Sequence, residues 1–331
     1  MKKHLVSLIA AMLCLCSVFA SFAAAEGVPT PDGHLQIDED RLAAFWAQSA
    51  GDTGLTNGEA VYNFVFPSNE TNPNLEFFYS DSTEYGGNYD TNLVIWEQGG
   101  GVEEIAAFNL AWLFRYSIHN TATDEWVNDC YQTYAPDLYG ELDLSETTTH
   151  SVNSNGGRTH ISALNLNDCA ELLAVTFSDQ PFCTEFSALN CPMLDSIDAR
   201  RCDYRRISVQ PKGFSEQISL YTIGNGSVGL FGSSGSYTAE AVGEGFVGWF
   251  ANGQCISTDL QLNLDAGIHA TACFAGDVNG DGEINITDSL LIMRCALELG
   301  ESLPLTTADA DCNGVIGIPD ALLAARVAMG V

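Results

Sequence analysis

The C-terminal part of the chain contains two copies of one short acidic loop, which start 32 residues apart at Asp277 and Asp309. In each copy, oxygen-bearing side chains occupy loop positions 1, 3, 5 and 12, with glycine at position 6 and isoleucine at position 8. Ca²⁺ takes about six to eight oxygen ligands, and a tight loop supplies them at this alternating spacing, together with the backbone carbonyl of position 7. The sequence therefore predicts two Ca²⁺ sites. The predicted ligands are Asp277, Asn279, Asp281, Glu283, Asn285 and Asp288 in the first loop, and Asp309, Asp311, Asn313, Val315 and Asp320 in the second.

Each loop is followed by an apolar helical run in the same register, so that Leu290 and Arg294 recur as Leu322 and Arg326. Residues 268–276 alternate like a strand, so no helix precedes the first loop. Position 12 carries aspartate, where an EF-hand has a bidentate glutamate. A duplicated loop–helix without an entering helix resembles a type I dockerin, over residues 276–331.

This resemblance implies a C-terminal all-α segment with paired calcium-binding loop–helix motifs. It also implies that the partner is the cohesin domain of a scaffoldin, as in a cellulosome, and that calcium is needed for folding. In that family, loop positions 10 and 11 and a basic residue of each helix face the cohesin. The corresponding residues are Ile286, Thr287, Arg294, Ile318, Pro319 and Arg326. The apolar and proline choices depart from the serine/threonine pairs common in the family, so cohesin specificity stays open.

The first 25 residues have the three parts of a secretion signal. Lys2 and Lys3 give the positive start, an apolar stretch runs to Phe22, and residues 23–25 are three alanines. We therefore expect a secreted, extracellular chain that starts near Glu26 and associates with a cell surface through a scaffold. No other apolar run approaches the ~18 residues needed to span a membrane.

The formal net charge of −31 becomes −33 when the two signal lysines are removed. This charge excludes nucleic acid as a partner, because phosphates need a basic surface. Nine cysteines remain after cleavage, and an odd number is unlike a complete disulfide framework. A Cys255–Cys273 bond and unpaired thiols are both open, whereas Cys169 and Cys191 are expected in the core.

Residues 142–210 carry a second repeat with a period near 22, seen at Leu142, Leu164, Phe186 and Ile207. This pattern resembles a bacterial leucine-rich repeat, in which neighbouring coils complete each other's core. It predicts a short solenoid over residues 141–212. Its exposed strand positions are either a recognition surface for a protein or glycan, or part of a structural spacer. They are Glu141, Asp143, Asn165, Asn167, Glu185, Ser187, Arg206 and Ser208.

Residues 213–275 consist of alternating segments separated by Gly, Asn or Asp turn signals, which predict strands throughout. The Gly245-Phe-Val-Gly-Trp249 segment and the closing Phe274 resemble the InlB-type B repeat of bacterial surface proteins, a small β-rich module. Trp249 is either a ligand platform or a core residue, and its tight motif favours the core.

Residues 26–140 are predicted to form an N-terminal α+β cap of unknown function. A short helix capped by Asp38 is expected there, with Leu42, Phe45 and Trp46 on one face. The complete prediction is a multidomain α+β chain with a signal peptide (1–25), this cap, the leucine-rich solenoid, the β-rich module and the dockerin.

The sequence contains no recognisable catalytic signature, and we name no catalytic residue. Paired carboxylates of a glycoside hydrolase are recognised by their separation in space, so local sequence does not test for them. The leading hypothesis is a non-catalytic accessory or adhesion-type protein. The alternatives are a polysaccharide-degrading hydrolase with its site in residues 26–140, and a structural spacer.

Overall fold

The computed structural model describes residues 34–60, 75–80, 94–99, 102–109, 112–134, 138–154, 159–281 and 283–330. The predicted signal peptide and Gly282 of the first loop lie outside these ranges. The chain divides into two compact units, of which the first ends at Pro181 and the second starts at Phe182. Within the described ranges, no helix is long and apolar enough to cross a membrane.

The first helix among the described residues is α1, Gln36–Trp46, which confirms the helix predicted from sequence. Its predicted cap is wrong, because Leu35 is the N-cap residue and makes no side-chain capping bond. Asp38 instead lies buried in the first turn. Its carboxylate accepts hydrogen bonds from the backbone N–H groups of Ile105 and Thr148 and from the Thr148 hydroxyl. Asp38 therefore ties the helix to the strands that follow.

The described strands of the first unit are β1 (Leu75–Ser80), β2 (Val94–Gly99), β3 (Val102–Asn109), β4 (Trp112–Asn120), β5 (Glu125–Tyr134), β6 (Tyr139–Asp143), β7 (Ser151–Asn153), β8 (His160–Asn165) and β9 (Ala174–Thr176). Strands β1, β4 and β5 form an antiparallel sheet in the order β1-β4-β5. Strands β2, β3, β7 and β9 lie side by side, with β2 antiparallel to β3 and the other pairs parallel. Strand β6 pairs in parallel with β8.

The strands of the second unit are β10 (Glu185–Ala188), β11 (Ser196–Ala199), β12 (Arg206–Val209), β13 (Ile218–Ile223), β14 (Ser227–Ser233), β15 (Ser236–Val242), β16 (Phe246–Ala251), β17 (Gln254–Ser257), β18 (Gln261–Leu264) and β19 (Ile268–Phe274). One sheet runs β10-β12-β13-β19-β16-β17, with parallel pairs β10–β12 and β13–β19 and antiparallel pairs elsewhere. The other runs β11-β14-β15-β18 and is antiparallel.

The strands predicted over residues 213–275 are confirmed by β13 to β19. Trp249 on β16 is 0% exposed and contacts Phe246 with ring centroids 6.0 Å apart. It is therefore a core residue, which removes the ligand-platform interpretation. Cys169 and Cys191 are also buried, as expected. The Cys255–Cys273 bond that the sequence left open does not form, since Cys273 is bonded to Cys312 and Cys255 is an exposed thiol.

The predicted α+β fold with a leucine-rich solenoid is wrong. The described residues are mainly β and form mixed sheets with few helices. The repeat positions Leu142, Leu164, Phe186 and Ile207 are indeed buried on β6, β8, β10 and β12. However, β12 is followed by the antiparallel strand β13. An apolar period shows which side chains point inward, but it does not fix the direction of the neighbouring strand.

The C-terminal segment was predicted to be all-α, but its helices are short. They are α2 (Ile286–Ala296), α3 (Leu305–Ala308) and α4 (Ile318–Ala328), of 11, 4 and 11 residues. Much of the remaining C-terminal segment is loop, because most of the predicted calcium ligands precede the start of α2 or α4.

Candidate calcium centre and docking face

The second loop, residues 309–320, brings three carboxylates together. The carboxylate oxygens of Asp309, Asp311 and Asp320 lie within 4.8 Å of one another. Asp309 is 2% exposed and Asp320 is 0% exposed. Asp309 accepts hydrogen bonds from the N–H groups of Asn313 (3.0 Å) and Gly314 (2.8 Å), which fold the loop around it. The arrangement places anionic oxygens in a confined, partly desolvated space.

The carboxylate of Asp320 closes this loop from its far end. It accepts hydrogen bonds from the N–H groups of Asp311 (3.0 Å) and Gly317 (2.7 Å). The Gly317 bond also caps α4, because Gly317 is its N-cap residue and Asp320 its third helical residue. One side chain thus links the loop geometry to the start of the helix.

The first loop, residues 277–288, repeats this construction. Asp277 accepts from the N–H groups of Gly280 (2.7 Å) and Asp281 (3.2 Å). Asp288 accepts from the N–H groups of Asn279 (3.3 Å) and Asn285 (2.9 Å), which are loop positions 3 and 9 as in the second copy. Asp288 is 0% exposed and caps α2 in the same way. The duplicated sequence therefore gives two similar loops, although among the described residues only the second loop holds a cluster of three carboxylates.

The donor sets suit a hard divalent cation. Burial raises the pKa of Asp320, and the neighbouring Asp311 carboxylate acts in the same direction. Such a site favours the ionised form when a cation offsets the repulsion between carboxylates. In the first loop, a hydrogen bond from Asn279 lowers the pKa of Asp281, and one from the Glu283 N–H acts likewise. Carboxylate and amide oxygens at this spacing are Ca²⁺ ligands, so the residues present fit the ion.

The two loop–helix copies share one small core. It consists of Ala275, Ile292, Ala308, Ala310, Ala321 and Ala324. The position-8 residues Ile284 and Ile316 pack against it, as expected for residues that join the loops. Alanine predominates in this core, and larger side chains such as Met293, Leu323 and Val327 pack around it while partly buried.

The six residues predicted to face a partner all lie at the surface. Ile286 is 54% and Ile318 48% exposed, and the others fall in the exposed class. Two further exposed residues were missed as candidates, namely Leu290 at 54% and Leu322 at 56%. They lie one turn after the isoleucines, on the same helix side. Their i+4 spacing from loop position 10 was the signal available in the sequence.

Residues 275–326 match the family of the Dockerin type I domain. The C-terminal segment is a type I dockerin. The dockerin begins one residue before the predicted boundary of 276. It implies calcium-dependent docking to a cohesin partner in a cellulosome-type protein, and dockerin proteins are typically extracellular and attached to a scaffold. Neither the comparison with curated proteins nor that with solved structures finds a match. The resemblances to leucine-rich repeats and to the InlB-type module receive no support from these comparisons.

The polar strand positions upstream of the dockerin, which were predicted to be exposed, differ in burial and contacts. Asp143 forms an ion pair with Arg41 at 2.7 Å, which joins β6 to α1. Ser208 is 4% exposed, and its buried hydroxyl has no hydrogen-bond partner among the residues that the structure describes. Arg206 lies over the Tyr221 ring at 5.7 Å. Ser208 was therefore wrongly predicted to be exposed.

Proposed function

We propose that the chain is a secreted, non-catalytic accessory protein that attaches to a scaffoldin when its dockerin binds a cohesin domain. The observation that carries this proposal is the pair of matching exposed helix faces. The first face is Ile286, Leu290 and Arg294, and the second is Ile318, Leu322 and Arg326. Exposed apolar side chains grouped on one side of a helix mark an interaction surface.

Each face combines apolar anchors with one charge. The isoleucine and leucine supply area that a partner can desolvate, and the arginine at the end of the row supplies directional hydrogen bonds. Thr287 lies beside the first face and Pro319 beside the second, and we place both at the edge of the cohesin contact. Because the two faces have the same composition, either half can present itself to a cohesin.

Calcium controls these faces through the loops. We propose one Ca²⁺ in each loop, with the ligands predicted from the sequence. Asp288 and Asp320 serve both as loop ligands and as helix caps, so loss of the ion would loosen the start of each helix. Isoleucines at loop position 10 lie at that start, and the cohesin-binding surface would be lost with it.

The role proposed for the rest of the chain is recognition of a protein or glycan, with the dockerin as the anchor. Asp38 and Asp143 support a structural use of acidic residues in the first unit, because the first holds α1 to the strands and the second pairs with Arg41. These two carboxylates therefore have structural rather than catalytic roles in the proposal.

The docking proposal is tested by measuring the affinity of the mature chain for a panel of type I cohesins, by calorimetry. Asp277→Ala with Asp309→Ala should weaken binding on the order of a hundredfold or more. The control pair Asp259→Ala with Asp265→Ala removes the same charge from exposed positions outside the loops and should bind normally. Full cohesin affinity in excess chelator would refute the proposal.

The recognition role is tested separately on a glycan array and by capture with candidate proteins. The intact mature chain is used, because cutting after residue 275 would separate Cys273 from its partner Cys312. Retention on a glycan would support a targeting function. Binding to neither class would favour the structural spacer.

A further inference from the structure

A disulfide bond joins the dockerin to the neighbouring β-sheet. Cys273 lies near the end of β19, and Cys312 is position 4 of the second calcium loop. The Cα atoms are 6.3 Å apart, and the bond closes a chain segment of 39 residues. That segment contains the whole first loop and α2. The bond therefore connects a rigid strand to the interior of a predicted metal-binding loop.

The conformation at loop position 4 shows that cysteine is an unusual choice there. The first loop has Gly280 at this position with φ of 73°, and Cys312 adopts nearly the same conformation with φ of 55°. This left-handed region is natural for glycine and strained for a residue with a Cβ atom. A Cβ at Gly280 would meet no atom of the described residues within 4 Å, so space does not dictate the residue. The second loop accepts backbone strain that the first avoids, and the feature gained is the bond to Cys273.

The residues beside Cys312 are predicted calcium ligands. Asp311 and Asn313 flank it directly in the chain. The Asn313 N–H also donates to the carboxylates of Asp309 (3.0 Å) and Asp311 (3.2 Å). Fixing Cys312 therefore restricts the backbone on both sides of it, where two of the loop oxygens originate.

The first loop is held against the same sheet in a different way. Ala275 is fully buried in the dockerin core, and its N–H donates to the Gly245 carbonyl at 2.8 Å. Val247 of β16 packs on that core, and Ile284 of the first loop lies against Gly245. The first loop thus relies on packing contacts, whereas the second has a covalent connection.

We propose that Cys312, through its bond to Cys273, is a positioning residue that holds the second loop in its calcium-binding conformation before the ion arrives. The bonded loop should bind Ca²⁺ more tightly than the same loop without the bond, because less conformational freedom is lost on binding. This inference rests on the calcium role within the proposed function, but it does not require cohesin binding.

The test measures Ca²⁺ binding to each loop separately in the intact mature chain, by calorimetry. Asp277→Ala silences the first loop and leaves the second to report, and Asp309→Ala does the reverse. Cys312→Gly is then added to each background. This substitution removes the bond but supplies the residue that the first loop uses at the same position, so it relieves backbone strain.

With the second loop reporting, Cys312→Gly should raise the Ca²⁺ dissociation constant about tenfold. With the first loop reporting, the change should stay within about twofold, since Cys312 is not part of that loop. A dithiol reductant added to the Asp277→Ala protein should reproduce the tenfold loss. The reductant should have no further effect once Cys312 is glycine.

A different pattern would overturn the inference. Equal losses at both loops would mean that the bond only stabilises the segment as a whole. Unchanged or tighter binding by the glycine variant would mean that backbone conformation alone matters at position 4. Peptide mapping without reductant must recover Cys273 linked to Cys312, and free thiols at both positions would refute the inference.

A second readout needs no bound ion. In excess chelator, backbone amides of residues 309–320 should exchange hydrogen more slowly in the bonded protein than after reduction. Equal exchange rates would contradict a preformed loop. Failure of the chain to bind any cohesin, with these calcium results intact, would refute the docking proposal and leave this inference standing.

Discussion

Ser289 and Ala321 occupy the same position in the two dockerin copies, and the Ser289 hydroxyl donates a hydrogen bond of 2.6 Å to the Ala321 carbonyl oxygen. Both residues are buried, at 3% and 0% exposure. Corresponding positions meet in this way near an axis of local two-fold symmetry, as in an isologous dimer interface. The duplication therefore extends from the sequence to the packing of α2 against α4, although serine faces alanine at its centre.

Ser289→Ala should destabilise the packed helix pair by about 0.5–1.5 kcal/mol, the net value of one buried hydrogen bond. The free energy of opening of α2 and α4 is measured by hydrogen exchange in the calcium-loaded chain. Thr306→Ala changes an exposed hydroxyl of the same segment and is the control. Equal values for both variants would mean that the Ser289 bond contributes no net stability.

The matching exposed faces predict two usable binding orientations. Thr287→Ala with Arg294→Ala disables one face, and affinity for a cohesin should fall by only about twofold if the other face is equivalent. Adding Ile318→Ala and Arg326→Ala should then reduce binding on the order of a hundredfold, because each face has then lost its arginine and one neighbouring contact residue. Titration calorimetry of the three proteins makes the comparison. Total loss with the first pair alone would show that a single orientation is used.

The type I dockerin was predictable because the determinants of its loops are local. Asp309, Asp311 and Asp320 lie within one short run, and their spacing alone brings the carboxylates together. Leu290 and Leu322 were not recognised as surface residues, because leucine serves cores and interfaces equally well. Only the structure shows that both leucines lie outside the dockerin core, at 54% and 56% exposure.

The arrangement of the strands in the sheets was harder to predict from the sequence. The period through Leu164 and Phe186 correctly marked buried positions, but partner direction depends on contacts between distant strands. The Cys273–Cys312 bond was not predictable for the same reason, since the two cysteines are 39 residues apart and come together only in the fold. The sequence context of Asp38 fits a helix cap, but tertiary hydrogen bonds from Ile105 and Thr148 determine its role.

Asp38 predicts a pH dependence in the stability of the first unit. Burial raises the pKa of its carboxyl, even though hydrogen bonds from Thr148 and Ile105 act the other way. The folded chain therefore holds this proton to a higher pH than the unfolded chain. The contribution of Asp38 to stability is largest below the unfolded pKa and falls as pH rises through the folded pKa.

The experiment compares the stability of the native chain and Asp38→Asn between about pH 4 and pH 6 by denaturant titration. The difference between the two proteins isolates Asp38 from the many other acidic groups. Relative to the variant, the native chain should lose stability as pH rises across this interval. A difference that stays constant, or that grows in favour of the native chain, would contradict the raised pKa.

The close contacts of Gly245 predict that the stability of the first calcium loop depends on its packing against the neighbouring β-sheet. Its φ is +76°, and a Cβ there would lie 2.5 Å from the Ala275 carbonyl oxygen and 2.7 Å from the Ile284 Cδ1. Gly253 is a matched control, with φ of +73° and nothing within 4 Å of an added Cβ. Gly253→Ala should cost about 1–2 kcal/mol from backbone conformation alone. Gly245→Ala should cost about 1–3 kcal/mol more, because it also overpacks the contact.

Thermal unfolding of the calcium-loaded proteins measures both losses, and Ile284→Val tests their source. Valine lacks the Cδ1 atom, so Ile284→Val should recover part of the loss in the Gly245→Ala chain while destabilising the native chain. The double-mutant cycle gives the coupling between the two sites. The stability that Ile284→Val does not recover is attributed to the clash with the Ala275 carbonyl oxygen. This carbonyl lies between β19 and the first loop, so it cannot move without shifting the backbone there. Equal losses for the two glycine variants, with no coupling to Ile284, would show that the loop does not rest on the sheet.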